Sequence, residues 1–171
     1  DQQISQNYML CTWSTEQAIR EIYLKPFELS EKEGGANAVM SSWNYIGNTW
    51  AGACAPLLQN VLRGEWGFKG LVLTDYFGDY GYMDADKAIR GGSDMMLVAS
   101  ATDNIPTDQT SATSLLAMRE SCHDILYTVV NTVAFSDENY SEATATPVWL
   151  VTLRKVDIAL AVVFVLLQIL A

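Results

Sequence analysis

Apolar positions along the chain alternate between helical spacing and short unbroken runs. Apolar residues three and four apart recur in four segments, at 15–25, 56–63, 84–90 and 110–133. Between them lie three short apolar runs, at 36–42, 70–74 and 94–98. Helical spacing predicts amphipathic helices, and short runs bounded by turn residues predict buried strands. Because a helix separates each strand from the next, the pattern predicts an α/β fold with a parallel sheet.

Capping and turn residues set the limits of these segments. Residues 14–17 have the form of a capping box, and Pro26 is expected to end or bend the first helix. Residues 33–35 are a strong stop, and residues 45–52 read as a loop. The strands lack a clean alternation of apolar and polar residues, so we expect cover on both faces of the sheet. Three such units do not close a barrel, so an open sheet and a piece of a larger barrel both fit.

The last part of the chain differs in character. Residues 136–147 are polar without apolar periodicity and are predicted to be a linker. Residues 158–171 are almost entirely apolar, although Asp157 precedes them. A membrane crossing needs about 20 apolar residues, so a transmembrane helix over 148–171, complete or truncated, competes with a buried terminal helix. We favour the membrane helix, because the run leaves no hydrated face, and we expect a cell-surface location.

Charge and cysteine usage exclude some classes of function. The chain carries 20 acidic against 10 basic residues, a formal net charge of −10. Such a surface would repel a polyphosphate, so no nucleic-acid partner is expected. The three cysteines are widely spaced and His123 is the single histidine, which excludes a structural zinc site of the usual spacing. We expect three free thiols, mostly buried.

Reacting groups in parallel α/β structures gather where the strands end. The predicted strand ends are residues 41–44, 74–76 and 98–100, and only the middle one offers a carboxylate, Asp75. Tyr76 follows it, and Trp43 lies at the preceding strand end. Aromatic rings can stack on a sugar, and a carboxylate can attack its anomeric carbon. The plainer interpretation of Asp75, from position alone, is a turn or a helix cap.

Four blocks of sequence carry a more specific signal. They are residues 16–27, 39–44, 62–76 and 88–94. In their order and spacing these blocks resemble glycoside hydrolase family 3, over roughly residues 1–134. The resemblance implies a (β/α)8 barrel, of the TIM type, of which residues 1–135 would hold about the last three units.

The resemblance also implies roles for individual residues. Asp75 takes the place of the nucleophile of a retaining, exo-acting β-glucosidase-type enzyme, which forms a glycosyl-enzyme. Met40, Trp43 and Tyr76 take places that border the bound sugar. Trp43 stands where the family usually has tyrosine, so a hydrogen bond from a phenolic hydroxyl is lost there.

The resemblance further implies which partners the chain needs. The substrate would be an oligosaccharide or a glycoside, with no cofactor and no metal. The rest of the barrel and the domain with the general acid/base would come from outside these residues, so the chain alone is expected to be inactive. Two alternatives stay open: a non-catalytic carbohydrate-binding relative, and a structural membrane-associated one. The N-acetylhexosaminidase branch of the family fits less well.

Overall fold

The computed structural model describes residues 11–77, 81–98, 105–136 and 148–170. Its contacts divide the chain into two compact units, Asp1–Thr132 and Val133–Ala171. Most of the predicted linker, residues 137–147, lies outside the described residues, as does Ala171.

A three-stranded parallel sheet forms the centre of the first unit. Numbered along the chain, the strands are β1 Ala38–Met40, β2 Tyr45–Ile46, β3 Thr49–Trp50, β4 Leu71–Tyr76 and β5 Met95–Leu97. The sheet has the order β1-β4-β5, and both of its pairs are parallel. This arrangement confirms the predicted α/β fold and places β4 between two neighbours.

The segment predicted to be a loop is a small hairpin. Strands β2 and β3 pair antiparallel, with Tyr45 opposite Trp50 and Ile46 opposite Thr49. Two residues per strand are too few to produce a period of two in the sequence, so the pattern could not show it. The prediction of a loop over 45–52 was wrong at this point.

Helices alternate with the strands of the sheet along the first unit, and two further helices lie in the second unit. They are α1 Glu16–Ala18, α2 Lys25–Lys32, α3 Ala85–Gly91, α4 Ala112–Val130, α5 Val133–Ser136 and α6 Val148–Leu170, with wide π-type segments Ile19–Tyr23 and Pro56–Glu65 and a 3₁₀ turn Ala51–Ala53. Helix α2 was not predicted. The first helix does break before Pro26, but Pro26 then occupies the first turn of α2, where its missing N–H is not needed.

The two faces of the sheet differ in cover. One face contributes Val39 and Val72 to a core that they share with Leu58, Leu62 and Phe68. The opposite face includes Met40, which is 50% exposed, and the exposed Met95 and Leu97. Within the described residues, the expected cover is therefore found on one face only.

Arg63 joins the elements at the amino edge of the sheet. Its guanidinium lies 2.8 Å from a carboxylate oxygen of Asp94 and 2.9 Å from one of Asp124. It also donates to the backbone carbonyls of Gly70 and Gly92, at 3.0 and 3.3 Å. One cation thereby satisfies two largely buried carboxylates and two loop carbonyls.

Asp94 carries this interaction into the strand ladder. Its carboxylate accepts the N–H of Val72 at 2.7 Å, and its own N–H donates to the Val72 carbonyl at 2.8 Å. Burial raises the pKa of Asp94 from its ordinary value of 3.8 to about 6, although the Val72 amide and Arg63 act in the opposite direction. The group is still ionised at neutral pH and meets Arg63 as a carboxylate.

Two expectations from the sequence are not met in the described residues. Of the three thiols expected to be mostly buried, Cys54 is buried but Cys11 and Cys122 are exposed. Residues 148–170 do form one helix, but none of the helices in the described part of the chain is long and apolar enough to cross a membrane. The predicted transmembrane helix is therefore not supported.

We predict that Arg63→Met lowers the free energy of unfolding by about 3–5 kcal/mol, because it leaves two buried carboxylates without their cation. Urea unfolding followed by circular dichroism measures the loss. The matched control is Arg20→Met, which breaks the exposed pairs of Arg20 with Glu16 and Glu65 and should change the midpoint little. Equal losses in the two variants would contradict the structural role of Arg63.

Candidate active site

The candidate nucleophile, Asp75, lies near the carboxyl end of the central strand. Asp75 is the fifth of the six residues of β4, and its side chain is half-buried. Met40 ends β1 and pairs with Leu73, two residues before Asp75. The structure thus places Met40 and Asp75 at one edge of the sheet, the edge where the parallel strands end.

A β-bulge turns two consecutive side chains of β4 toward the same face. Leu73 pairs with Met95 and Tyr76 pairs with Leu97, so three steps along β4 match two along β5. Paired residues share a face, and therefore Tyr76 lies on the face of Leu73 and Asp75 instead of alternating away from it. Tyr76 is accordingly 43% exposed. The bulge brings the carboxylate and the neighbouring aromatic ring onto one side.

Thr74 closes the gap that the bulge leaves in the ladder. It is fully buried, and its hydroxyl oxygen accepts the N–H of Leu97 at 3.0 Å. Directly beyond it, the N–H of Phe77 donates to the Leu97 carbonyl at 2.7 Å. The strand therefore stays attached to β5 on both sides of Asp75.

The carboxylate itself has one close partner. Its Oδ1 accepts the backbone N–H of Tyr76 at 2.7 Å. Among the described residues, Asp75 makes no ion pair and no other hydrogen bond. The other carboxylate oxygen is therefore uncommitted within this part of the chain, as a group that attacks a substrate needs to be.

Trp43 is brought to the same edge by a hydrogen bond. Its indole Nε1 donates to the backbone carbonyl of Tyr76 at 2.9 Å. Its own carbonyl accepts the hydroxyl of Tyr82 at 3.2 Å. The four residues predicted for the site, Met40, Trp43, Asp75 and Tyr76, therefore lie at one edge, and Tyr82 is an addition that sequence reasoning missed.

An aromatic cluster lies against this edge. It consists of Tyr45, Trp50, Phe77 and Tyr82. Ring centroids are 5.3 Å apart for Tyr45 and Tyr82, and 6.0 and 6.2 Å from Trp50 to Phe77 and Tyr82. Burial raises the pKa of the Tyr45 phenol, which keeps it neutral. The signal in the sequence was the tyrosine- and glycine-rich stretch after Asp75, which has no periodicity to place it.

A buried hydroxyl also lies at this edge. Ser41 follows β1 directly, is 6% exposed, and donates its backbone N–H to the Leu73 carbonyl at 2.8 Å. Its side-chain oxygen has no hydrogen-bond partner among the described residues. The third predicted strand end is only partly visible, because residues 99–100 lie outside the described part of the chain.

Comparison with known proteins identifies the family to which the chain belongs. The profile of the glycosyl hydrolase family 3 N-terminal domain matches residues 5–121, more than half of the chain. The chain belongs to glycoside hydrolase family 3. The membership rests on a continuous match that includes the segment of Trp43 and that of Asp75.

Similar proteins within the family are β-glucosidases. The chain is 52% identical over 71 residues to beta-glucosidase B of Emericella nidulans, which is 42% of this chain and 8% of that protein. It is 44% identical over 80 residues to a beta-glucosidase of Rhizobium radiobacter, which is 47% of this chain and 9% of that protein. The matches thus span less than a tenth of the length of these curated relatives.

Solved structures of the family have the same α/β fold. Beta-glucosidase 3B of Thermotoga neapolitana, solved in complex with α-D-glucose, superposes with a TM-score of 0.62 at 26% sequence identity. The alignment covers 79% of this chain and 20% of that protein. The fold of this chain is therefore that of one part of a family 3 β-glucosidase.

We predict different outcomes for alanine substitutions at two buried serines. Ser41→Ala should leave the free energy of unfolding unchanged or raise it by about 1 kcal/mol, because it removes a hydroxyl that has no partner among the described residues. Ser93→Ala should lower it by about 1–3 kcal/mol, because the Ser93 hydroxyl donates to the Gly52 carbonyl at 2.7 Å. Urea unfolding of both variants and of wild type measures these changes. A lower free energy of unfolding for Ser41→Ala than for wild type would show that the Ser41 hydroxyl has a partner.

Proposed function

We propose that this chain supplies the nucleophile and part of the sugar-binding surface of a retaining, exo-acting β-glucosidase-type enzyme. The observation that carries the proposal is the position of Asp75, which lies next to the end of the central parallel strand with one carboxylate oxygen held by the Tyr76 amide. The similarity to β-glucosidases over the same segment supports it.

The chemistry follows from what a carboxylate can do at an anomeric carbon. The free oxygen of Asp75 attacks that carbon while a second carboxyl group protonates the departing glycosidic oxygen. The glycosidic bond breaks and a glycosyl ester with Asp75 forms. Water, activated by the second group, then attacks the same carbon and releases the sugar and the free carboxylate of Asp75.

Neighbouring residues of the chain would hold the sugar. Tyr76 and Met40 are exposed on the face that Asp75 shares, and Trp43 lies beside them. Aromatic rings pack against the C–H faces of a sugar ring, which orients it without consuming its hydroxyl groups. The substrate class that fits is a glycoside or oligosaccharide with a terminal sugar accessible to attack.

The rest of the site would come from outside the described residues. A retaining mechanism needs two carboxyl groups about 5–5.5 Å apart, and the residues of this chain provide the nucleophile alone in our proposal. The remaining strands of a (β/α)8 barrel and a domain with the acid/base are the partners that it requires. Exposed apolar side chains of β1 and β5 on the face of Asp75 support such a barrel, since its interior is filled by side chains. The cell-surface location of the full-length protein stays a prediction.

We predict that, in the full-length protein, Asp75→Asn and Asp75→Gly each lower the turnover of an aryl β-glucoside by at least about 1,000-fold, because the covalent route is lost. Added azide should restore turnover of the Gly variant by occupying the vacated space and yield the α-glucosyl azide. An activated 2-deoxy-2-fluoro-β-glucoside should label wild-type protein on the peptide that contains Asp75, as read by mass spectrometry.

Asp84→Asn is the matched control for this experiment. The Asp84 side chain caps α3 by accepting the N–H of Lys87 at 3.0 Å, and asparagine caps a helix equally well. Its turnover should equal that of wild type. A carbohydrate-binding or structural relative would show no turnover in wild type and no covalent label, which would refute the proposal.

We also predict that the isolated 171-residue chain does not hydrolyse an aryl β-glucoside, because in our proposal the acid/base group comes from another domain. Circular dichroism should first establish that the chain is folded, and the full-length protein at the same concentration sets the detection limit. Hydrolysis above that limit, abolished by Asp75→Asn, would mean that both carboxyl groups lie within these residues.

A further inference from the structure

The peptide group between Tyr76 and Phe77 is held at both of its ends. Its carbonyl, that of Tyr76, accepts the indole N–H of Trp43 at 2.9 Å. Its N–H, that of Phe77, donates to the Leu97 carbonyl at 2.7 Å. This peptide group therefore spans from the segment after β1 to β5, as a main-chain rung of the sheet would.

The indole N–H of Trp43 takes the role of a main-chain donor in that rung. At the end of β1 the connection to β4 is a backbone hydrogen bond, from the N–H of Ser41 to the Leu73 carbonyl. Two residues later the connection passes to the side chain of Trp43. The backbone pairing of β1 with β4 ends at Met40 and Leu73, so beyond that point the donor to β4 comes from a side chain.

The same residue that Trp43 holds also holds the nucleophile. The N–H of Tyr76 donates to Oδ1 of Asp75 at 2.7 Å. The peptide group after Tyr76 is held by Trp43 and Leu97. Thr74 is held to Leu97 on the other side of Asp75, so the amide between Asp75 and Tyr76 is restrained. That restraint fixes the direction of the amide that orients the carboxylate of Asp75.

The backbone of Trp43 and of Ser42 is held by two members of the aromatic cluster. The Tyr82 hydroxyl donates to the Trp43 carbonyl at 3.2 Å, and the Trp50 indole donates to the Ser42 carbonyl at 2.9 Å. Trp50 and Tyr82 are both buried, and their rings contact each other. Three aromatic side chains thus each donate to a backbone carbonyl at the two strand ends that carry the site, those of Ser42, Trp43 and Tyr76.

We propose that Trp43 is a positioning residue for the nucleophile: through the Tyr76 carbonyl, its indole N–H sets the backbone amide that orients the carboxylate of Asp75. The inference rests on the proposed role of Asp75 and adds a function to Trp43 beyond contact with a sugar. An indole has a single N–H donor and no acceptor. Because that N–H donates to the Tyr76 carbonyl, Trp43 has no donor left for the substrate, whereas a tyrosine hydroxyl at this position could bond to the sugar. Its contribution is orientation, which matters most while the new bond forms.

The test separates orientation from sugar binding in the full-length protein. Inactivation by an activated 2-deoxy-2-fluoro-β-glucoside gives two numbers, the binding constant of the reagent and the first-order rate constant of glycosylation. Trp43→Phe keeps a ring but removes the donor. We expect the rate constant to fall about tenfold, since one hydrogen bond that orients the reacting group is lost, with the binding constant changed less than about threefold.

A second variant removes the donor alone and keeps the shape of the side chain. Replacing Trp43 by 3-benzothienylalanine, in which sulfur stands in the place of the indole N–H, should reproduce the slower glycosylation. This variant keeps the test decisive if Trp43→Phe does not fold. Trp66→Phe is the matched control, because Trp66 packs against the core around Leu58 and Phe68. This variant should be glycosylated at the wild-type rate.

Backbone amide exchange gives a readout that does not depend on activity. The Phe77 amide should exchange faster in the benzothienyl variant than in wild type, while amides of the helix Pro56–Glu65 should not change. Unchanged exchange at Phe77 would overturn the proposal, as would a wild-type rate constant of glycosylation with a weakened binding constant, which is the result expected if Trp43 only stacks on the sugar.

The experiment also distinguishes failure of this inference from failure of the proposed function. If wild-type protein forms no covalent glycosyl adduct on Asp75, the proposed function is wrong and the role of Trp43 with it. If wild type is labelled and both Trp43 variants are labelled at the same rate, Asp75 remains the nucleophile and the positioning role of Trp43 is wrong.

Discussion

Arg63 holds the amino edge of the sheet together through two carboxylates and two carbonyls. Asp94 lies directly before β5, Asp124 in α4, and Gly70 just before β4, so one guanidinium joins the starts of two strands to the helix α4. Charge pairs of this kind are worth little on a surface, but removal of one partner from a buried set is costly. The arrangement therefore constrains where β4 begins and which residue of β5 it faces.

Because Arg63 and Asp94 fix the start of β4, the bulge near its end determines which side chains share a face. Asp94 fixes Val72 in register by a pair of hydrogen bonds, and the ladder then gains one residue between Leu73 and Tyr76. Were the register free to slip, the extra residue could be absorbed anywhere along the strand. Since it is not, Asp75 and Tyr76 emerge together on one face, and the Tyr76 carbonyl comes within reach of Trp43.

The sequence predicted the part of this structure that depends on periodic burial. The order of strands and helices, the parallel sheet and the strand-end position of Asp75 all follow from where apolar residues repeat. The bulge, the β2–β3 hairpin and the partners of Trp43 leave no periodic trace, because each depends on one or two residues in contact with distant ones. For the same reason nothing in the pattern distinguishes Arg63, because its partner Asp124 is 61 positions away along the chain.

The contacts of Trp43 also change the interpretation of a tryptophan where the family usually has tyrosine. From sequence, Trp43 reads as the loss of a hydroxyl near the sugar. In the structure its donor is directed at the backbone of Tyr76, while a different residue, Tyr82, directs a hydroxyl at the backbone of Trp43. The indole N–H of Trp43 and the hydroxyl of Tyr82 therefore both bond to the backbone and fix the geometry of the strand end. A site built in this way can exchange the identity of an aromatic side chain only if the carbonyl that it holds finds another donor, because that carbonyl belongs to the residue whose amide orients Asp75.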